Sequence, residues 1–257
     1  MENRNSDLPK DFDLLEMPVE GVAAYWLSLK KLVGNKKQFK MLDQEARYTG
    51  EPYVKYLLET GFSDLPDEHF LHLSKVKRES LALELGRKLD LMRLALLDMA
   101  AKENPARTLA KMTSKFSTQP MDESQALKLA QEMVLGMGEN GAAKAAENPK
   151  HYNVNHRLKN DRLLVILLFY VLFARKEGIM ACQPFLEFVE SAFFCDGLAL
   201  VVDGFDTPFI RKRLKVHRES IVAETSRKMR MSADMCLGIK NMLTYENIFF
   251  IARSYMV

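Results

Sequence analysis

One glycine pattern in the sequence has the spacing of a nucleotide-binding turn: Gly136, Gly138 and Gly141, with Asp161 twenty residues further on. A dinucleotide site of this kind needs a strand before the glycines, so that the turn directs a helix N-terminus at the pyrophosphate. Residues 123–135 instead show the spacing of a helix. We therefore interpret the glycines as a helix stop and expect no nucleotide site.

The histidines and cysteines show no metal-ligand spacing. His69 and His72 can share one helix face, but no cysteine lies near them in the sequence to complete a tetrahedral zinc site, which favours a surface role. The three cysteines, Cys182, Cys195 and Cys236, are far apart and fit free thiols in a reducing compartment.

No serine or cysteine lies in a nucleophile elbow. We therefore expect a non-enzymatic protein without a cofactor and without a small-molecule substrate. An all-α enzyme is the open alternative, because catalytic groups from distant positions can converge in a pocket.

The most basic segment runs from residue 211 to residue 230 and holds eight Lys or Arg residues against two Glu. Such a helix face is commonly a solvated surface, but it also suits an acidic protein, an anionic membrane or nucleic acid. No aromatic residues alternate with these charges, which disfavours single-stranded nucleic acid. Among the functional interpretations we prefer an acidic protein partner, with candidate contacts at Arg211, Lys212, Lys215 and Arg218.

Composition and hydropathy favour a helical, cytoplasmic protein. The 257 residues are 47% apolar and 28% charged, with a net charge of +3. The longest uncharged apolar run, 163–174, is shorter than the about 20 residues of a membrane span. It is interpreted as a buried helix, with a membrane-associated segment as the alternative. Because residues 1–10 are polar and charged, no secretory signal is expected.

The apolar spacing predicts an all-α helical bundle. Leu81, Leu85, Leu89, Met92 and Leu96 follow the 4-and-3 spacing of an amphipathic helix. The isolated β-like run at 198–202 fits a buried helix equally well. The polar, turn-rich stretch 148–160 predicts a linker between an N-terminal half, 1–147, and a C-terminal half, 161–257.

The two predicted halves share a sequence pattern. Residues 75–88 read KVKRESLALELGRK, and residues 215–228, at a constant offset of 140, read KVHRESIVAETSRK. Eight of these fourteen positions are identical. We therefore predict an internal duplication, in which one helical unit is used twice.

Two linked motifs in the second half resemble a known family. Residues 174–178 read ARKEG and residues 196–206 read DGLALVVDGFD. Over about 163–231 the chain resembles the cytoplasmic domain of the MotA family of flagellar stator proteins, relatives of TolQ and ExbB. This resemblance implies a flagellar rotor or stator protein as the partner, contacted through Arg175. It also implies that the domain is shaped by Gly178, Gly197, Asp203, Gly204 and Asp206.

The chain departs from that family in three respects. Family members have four membrane helices, which we do not expect here, so no ion-conducting pore is predicted. Gln183 stands where the family has an acidic rotor contact, and the N-terminal half has no counterpart in a stator. The function expected from the resemblance is therefore a cytoplasmic scaffold or adaptor of the motor, at the inner face of the membrane.

Several alternatives stay open at this stage. The protein could instead be a regulatory helical protein that binds nucleic acid or anionic membrane through its basic helix, although nucleic acid is the less favoured partner. Asp203 and Asp206 are also good turn-forming residues, and Arg175 could simply interact with the end of its own helix. A homo-oligomer, and association with the membrane through a partner, are both compatible with the pattern.

Overall fold

A computed structural model describes residues 12–34, 40–138 and 148–256. These residues form helices and connecting turns with no strand among them, which confirms the all-α prediction. A 3₁₀ helix spans Ile179–Glu187. The α-helices are α1 (Val19–Val33), α2 (Lys40–Tyr48), α3 (Pro52–Gly61), α4 (Asp67–Ala100), α5 (Pro105–Thr113), α6 (Glu123–Met137), α7 (Pro149–Tyr152), α8 (Asn160–Glu177), α9 (Ala192–Val202), α10 (Thr207–Lys240) and α11 (Tyr245–Arg253).

The helices divide between two compact units. Unit 1 contains the described residues up to Leu83 together with those from Ile221 onward, and unit 2 contains those from Glu84 to Ser220. The two 34-residue helices, α4 and α10, each contribute residues to both units. Each unit therefore draws helices from both of the halves that the sequence suggested.

The core of unit 1 is built around large side chains with no exposed surface. They include Trp26 of α1, Tyr53 of α3, Phe70 of α4 and Met235 of α10. The Tyr53 hydroxyl donates a hydrogen bond to the carbonyl of Ser74 at 3.1 Å, which satisfies its polar atom inside the core. This arrangement buries the apolar faces of α1, α3 and the two long helices together.

The core of unit 2 is centred on α8. Its apolar run 163–174 is buried except at Leu172, which is half-buried, so the prediction of a buried helix is confirmed. Phe169 and Tyr170 of this run pack with Phe185 of the 3₁₀ helix, with ring centroids 5.1–5.8 Å apart, a spacing that suits edge-to-face aromatic packing. No helix in the described part of the chain is long and apolar enough to cross a membrane.

The stretch 148–160, which the sequence suggested as a linker, packs into unit 2. Tyr152 and Val154 are buried. The Tyr170 hydroxyl donates to the carbonyl of Tyr152 at 3.0 Å, and the backbone N–H of Ser191 donates to the carbonyl of Val154 at 2.9 Å. These bonds anchor the segment between α7 and α8.

Helices that lie 140 residues apart have the same bounds. Helix α4 covers 67–100 and α10 covers 207–240, while α5 covers 105–113 and α11 covers 245–253. After the long helices, Lys102 and Met242 both adopt left-handed backbone angles, with φ of 52° and 57°. Such angles are uncommon outside glycine. The match agrees with the expected relation between the halves, while their common origin stays a prediction.

A pair of buried lysines repeats at the same offset. In unit 2, the Lys88 ammonium donates to the carbonyl of His156 at 2.8 Å. In unit 1, the Lys228 ammonium donates to the carbonyl of Leu14 at 3.2 Å. Each lysine also pairs with a glutamate four residues before it in its own helix. Each unit therefore uses a lysine from a long helix to hold a loop that is far from this lysine in the chain.

Candidate protein-interaction surface

The turn between α9 and α10 contains three of the predicted motif residues. Gly204 has a φ of 76°, which glycine adopts without steric cost, and its N–H donates to the carbonyl of Val201 at 3.2 Å. Asp203 and Asp206 are exposed on either side of it. The Asp206 carbonyl accepts the first hydrogen bond of α10, from the N–H of Ile210 at 3.1 Å. Both aspartates therefore occupy turn positions.

Gly197 lies where α9 packs most tightly within unit 2. A Cβ atom at this position would overlap the Cδ1 atom of Leu96 and lie 3.1 Å from Leu214 Cδ2. Real Cβ atoms essentially never approach another heavy atom closer than 3.0 Å. Because both leucines are buried, the absence of a side chain at Gly197 is what allows α9 to sit against α4 and α10.

The end of α8 contains the other predicted pair. Gly178 follows α8 with a φ of 92°, and its N–H donates to the carbonyl of Ala174 at 3.0 Å. The Arg175 guanidinium is exposed and donates from Nη1 to the carbonyl of Glu103 at 3.2 Å. Arg175 thus binds the turn after α4, and a partner contact by this residue stays a prediction.

Four cations form an exposed surface on the first half of α10. Ile210 and Leu214 point into the core with 0% and 1% exposure, so the residues between and after them face outward. No ion pair of these four cations is present among the described residues. We call them the basic surface: Arg211, Lys212, Arg213 and Lys215.

Arg218, predicted with this group, lies in a different environment. Its Nη2 atom is 3.0 Å from Asp90 Oδ2, and its side chain is 28% exposed. Arg93 shares the same carboxylate, with Nη2 3.2 Å from Asp90 Oδ1. Arg218 is therefore part of an ion-pair network within unit 2, unlike the basic surface.

An exposed aromatic pair lies next to the basic surface. The rings of Phe205 and Phe209 stack with centroids 5.1 Å apart and planes inclined by 22°. They are 46% and 45% exposed, and Val216 of the same helix is 55% exposed. The residues predicted from the sequence do not include this pair. The helical spacing of the sequence places Phe209 and Val216 on a different side of α10 from the buried positions 210 and 214. This spacing is the sequence feature that could have identified the exposed pair.

A cavity of about 380 Å³ lies in unit 2 between α6 and α8. Met133, Tyr152 and Val165 contribute to its walls, together with His151 and Arg162. Partial burial, followed by the nearby Arg162 guanidinium, lowers the pKa of His151. The same guanidinium donates to the His151 carbonyl at 2.6 Å. Neither serine nor cysteine is among the described residues that line this cavity.

The remaining chemical candidates have ordinary structural positions. Gly138 ends α6 with a φ of 60°, as expected of a helix stop, while Gly141 lies outside the described residues. His69 and His72 are exposed, and the described residues contain no cluster of His, Cys, Asp and Glu that would hold a metal. Cys182 is fully buried, and burial raises the pKa of its thiol to about 12.

No family model matches the chain, and neither the curated proteins nor the solved structures contain a significant match. The resemblance to the MotA family therefore stays a prediction that rests on the two motifs. The candidate function depends on the chemistry of the exposed surfaces.

Proposed function

We propose that this protein is a non-enzymatic adaptor that binds an acidic protein partner through the basic surface of α10. The observation that carries the proposal is the group of four exposed cations without ion-pair partners among the described residues, beside the exposed stack of Phe205 and Phe209. Charge gives such an interface its orientation and speed of association. The aromatic pair supplies apolar contact area.

The first turn of α10 differs in charge from the first turn of α4. The first turn of α4 contains Asp67 and Glu68, whereas the first turn of α10 contains no acidic residue. A helix N-terminus carries a partial positive charge of about half a unit. In α10 this partial charge and the basic surface have the same sign, and the exposed carboxylate of Asp206, directly before the helix, offsets part of the charge at the N-terminus.

The stacked aromatic pair favours a protein partner over nucleic acid. Binding to duplex nucleic acid is dominated by contacts between cations and phosphates, and this binding mode does not require two exposed phenyl rings. Protein interfaces, by contrast, are enriched in aromatic residues and arginine at their centres. Arg211 and Arg213 are exposed on either flank of Lys212 in α10.

The resemblance to stator cytoplasmic domains suggests which partner this is. We propose a flagellar rotor or stator component, contacted in the cytoplasm at the inner face of the membrane. In this proposal Gly178, Gly197 and Gly204 maintain the shape of the region that carries the basic surface, and Arg175 holds the adjacent turn.

The test begins with identification of the partner and continues with a matched pair of variants. After mild crosslinking in the native cells, the tagged protein is purified and its bound proteins are identified by mass spectrometry. The recovered partner is then titrated with wild type, with K212E/K215E, and with the control K75E. Lys75 is exposed at the position of α4 that corresponds to Lys215.

We expect K212E/K215E to bind the partner at least about 10-fold more weakly, and K75E to bind like wild type. Equal partner affinities of wild type, K212E/K215E and K75E would show that the basic surface is not part of the interface. Steeply salt-dependent binding to duplex DNA, RNA or anionic vesicles, abolished in K212E/K215E, would instead favour the alternative of a nucleic-acid or membrane binder.

A further inference from the structure

Helices α5 and α11 occupy matching positions, 140 residues apart, but their surroundings differ. In unit 2 the side of α5 that contains Pro105, Leu109 and Thr113 is buried. Helix α6 packs against this helix, and the Thr113 hydroxyl donates to Glu123 Oε1, in the first turn of α6, at 2.6 Å. The apolar side of α5 is thus covered by a helix from its own unit.

The matching side of α11 in unit 1 is exposed. Tyr245 and Phe249, which correspond to Pro105 and Leu109, are 39% and 42% exposed, and Arg253 is exposed at the position of Thr113. Within the described residues of unit 1, no helix occupies the place that α6 takes in unit 2.

Helix α1 extends this exposed side. The Lys31 ammonium lies 5.2 Å from the centroid of the Tyr245 ring, which brings α1 next to α11. Leu32 is 50% exposed, and Ala24 and Ser28 are exposed further along α1. Small side chains let a neighbouring helix approach closely. We define the α1–α11 face by Lys31, Leu32, Tyr245, Phe249 and Arg253.

We propose that the α1–α11 face docks an amphipathic helix of a partner protein, in the way that α5 and α8 bind α6. Helix α6, which packs against the matching helix α5, indicates the chemistry expected of the docked helix. Helix α6 buries apolar residues at spacings of three and four, and it begins with an acid that meets position 113. In unit 1 this position is Arg253, and Lys31 provides a second cation. The docked helix therefore has a narrow apolar stripe and a carboxylate in its first turn.

The α1–α11 face belongs to unit 1 and the basic surface belongs to unit 2, so the two have no residue in common. The inference therefore does not depend on the proposed function, although together they describe an adaptor with two binding surfaces. Loss of binding at one face leaves the other testable.

The probe is a fluorescein-labelled peptide of residues 122–138, which reproduces α6, titrated with the full chain and followed by fluorescence anisotropy. We expect saturable binding in the micromolar range. F249E binds the peptide at least about 10-fold more weakly. The control F209E, whose phenylalanine is 45% exposed in unit 2, binds it like wild type.

A charge swap tests the orientation of the docked helix. We expect R253E to weaken peptide binding and a peptide that carries Glu123→Lys to restore it, because the two charges meet in the predicted arrangement. No binding at about 100 μM, several-fold above the expected range, would overturn the proposal. Equal binding by F249E and F209E, or no rescue by the charge swap, would do the same.

Other occupants of the face give different results. If a second copy of the chain covers it, wild type sediments as a dimer and F249E as a monomer in analytical ultracentrifugation. If residues 1–11 cover it, their deletion raises the affinity for the peptide several-fold. Either result would overturn the assignment to a partner helix.

Discussion

The close packing at Gly197 predicts that G197A has opposite effects on the free energy of unfolding in two backgrounds. In wild type, the new methyl group of G197A overlaps Leu96 and lies 3.1 Å from Leu214. In the L96A background, the nearest obstructing atom is gone. We therefore expect G197A to destabilise wild type and to stabilise L96A.

The magnitudes follow from two opposing effects. Replacing a helical glycine by alanine gains about 1 kcal/mol of helix propensity, and overpacking a tight core costs about 1–3 kcal/mol. The net effect in wild type is a loss of up to about 2 kcal/mol. In L96A, which itself costs about 2–5 kcal/mol because Leu96 is fully buried, G197A gains up to about 1 kcal/mol.

The assay is urea unfolding followed by circular dichroism for wild type, both single variants and the double variant. The coupling free energy from this cycle should be at least about 1 kcal/mol. G136A is the control, because nothing lies within 4 Å of the Cβ position at Gly136 in α6, and it should stabilise by about 0.5–1 kcal/mol. If G197A stabilised wild type as much as it stabilises L96A, the packing explanation of Gly197 would be refuted.

Three further predictions concern single residues. K228M should lower the free energy of unfolding by about 1–3 kcal/mol, because the carbonyl of Leu14 loses its donor in a buried site; an unchanged urea midpoint would contradict this role. The hydrogen bond from Asn241, and then the Lys240 ammonium, lower the pKa of Asp67. Its contribution to stability is therefore present above the unfolded pKa near 3.8 and is lost as the pH falls through the lower folded value. D67N should accordingly show a smaller fall in urea midpoint on acidification than wild type, and parallel curves would refute the assignment. Finally, iodoacetamide should alkylate the fully buried Cys182 far more slowly in native buffer than in urea, where the protein is unfolded. Mass spectrometry of the labelled peptide follows the reaction, and fast labelling in native buffer would show that the site opens.

Local pattern was sufficient to predict the helices and several of their ends. The apolar stripe from Leu81 to Leu96 lies within α4, and the run 163–174 is the buried part of α8. Gly138 and Gly178 follow helices at positive φ, as expected of residues without a Cβ atom. These features depend on hydrogen bonds and side chains within a few residues of each other, so a single sequence contains the information.

The sequence could not distinguish the environments of residues that look alike. Lys215 and Arg218 belong to one basic segment, yet Lys215 is exposed and Arg218 pairs with Asp90. That pairing depends on Asp90, which belongs to a different helix and is far away in the chain. The partner of a charge is therefore a property of the tertiary structure.

By itself, the sequence determined that the chain is helical, where its apolar stripes run, and that two segments share one pattern. Only the tertiary structure decided which stripes are covered. Leu109 and Phe249 occupy matching positions on matching helices, but Leu109, on a helix that packs against α6, is 3% exposed, whereas Phe249 is 42% exposed. The physical reason is that helical periodicity defines an apolar face, while burial of that face depends on whether another helix packs against it.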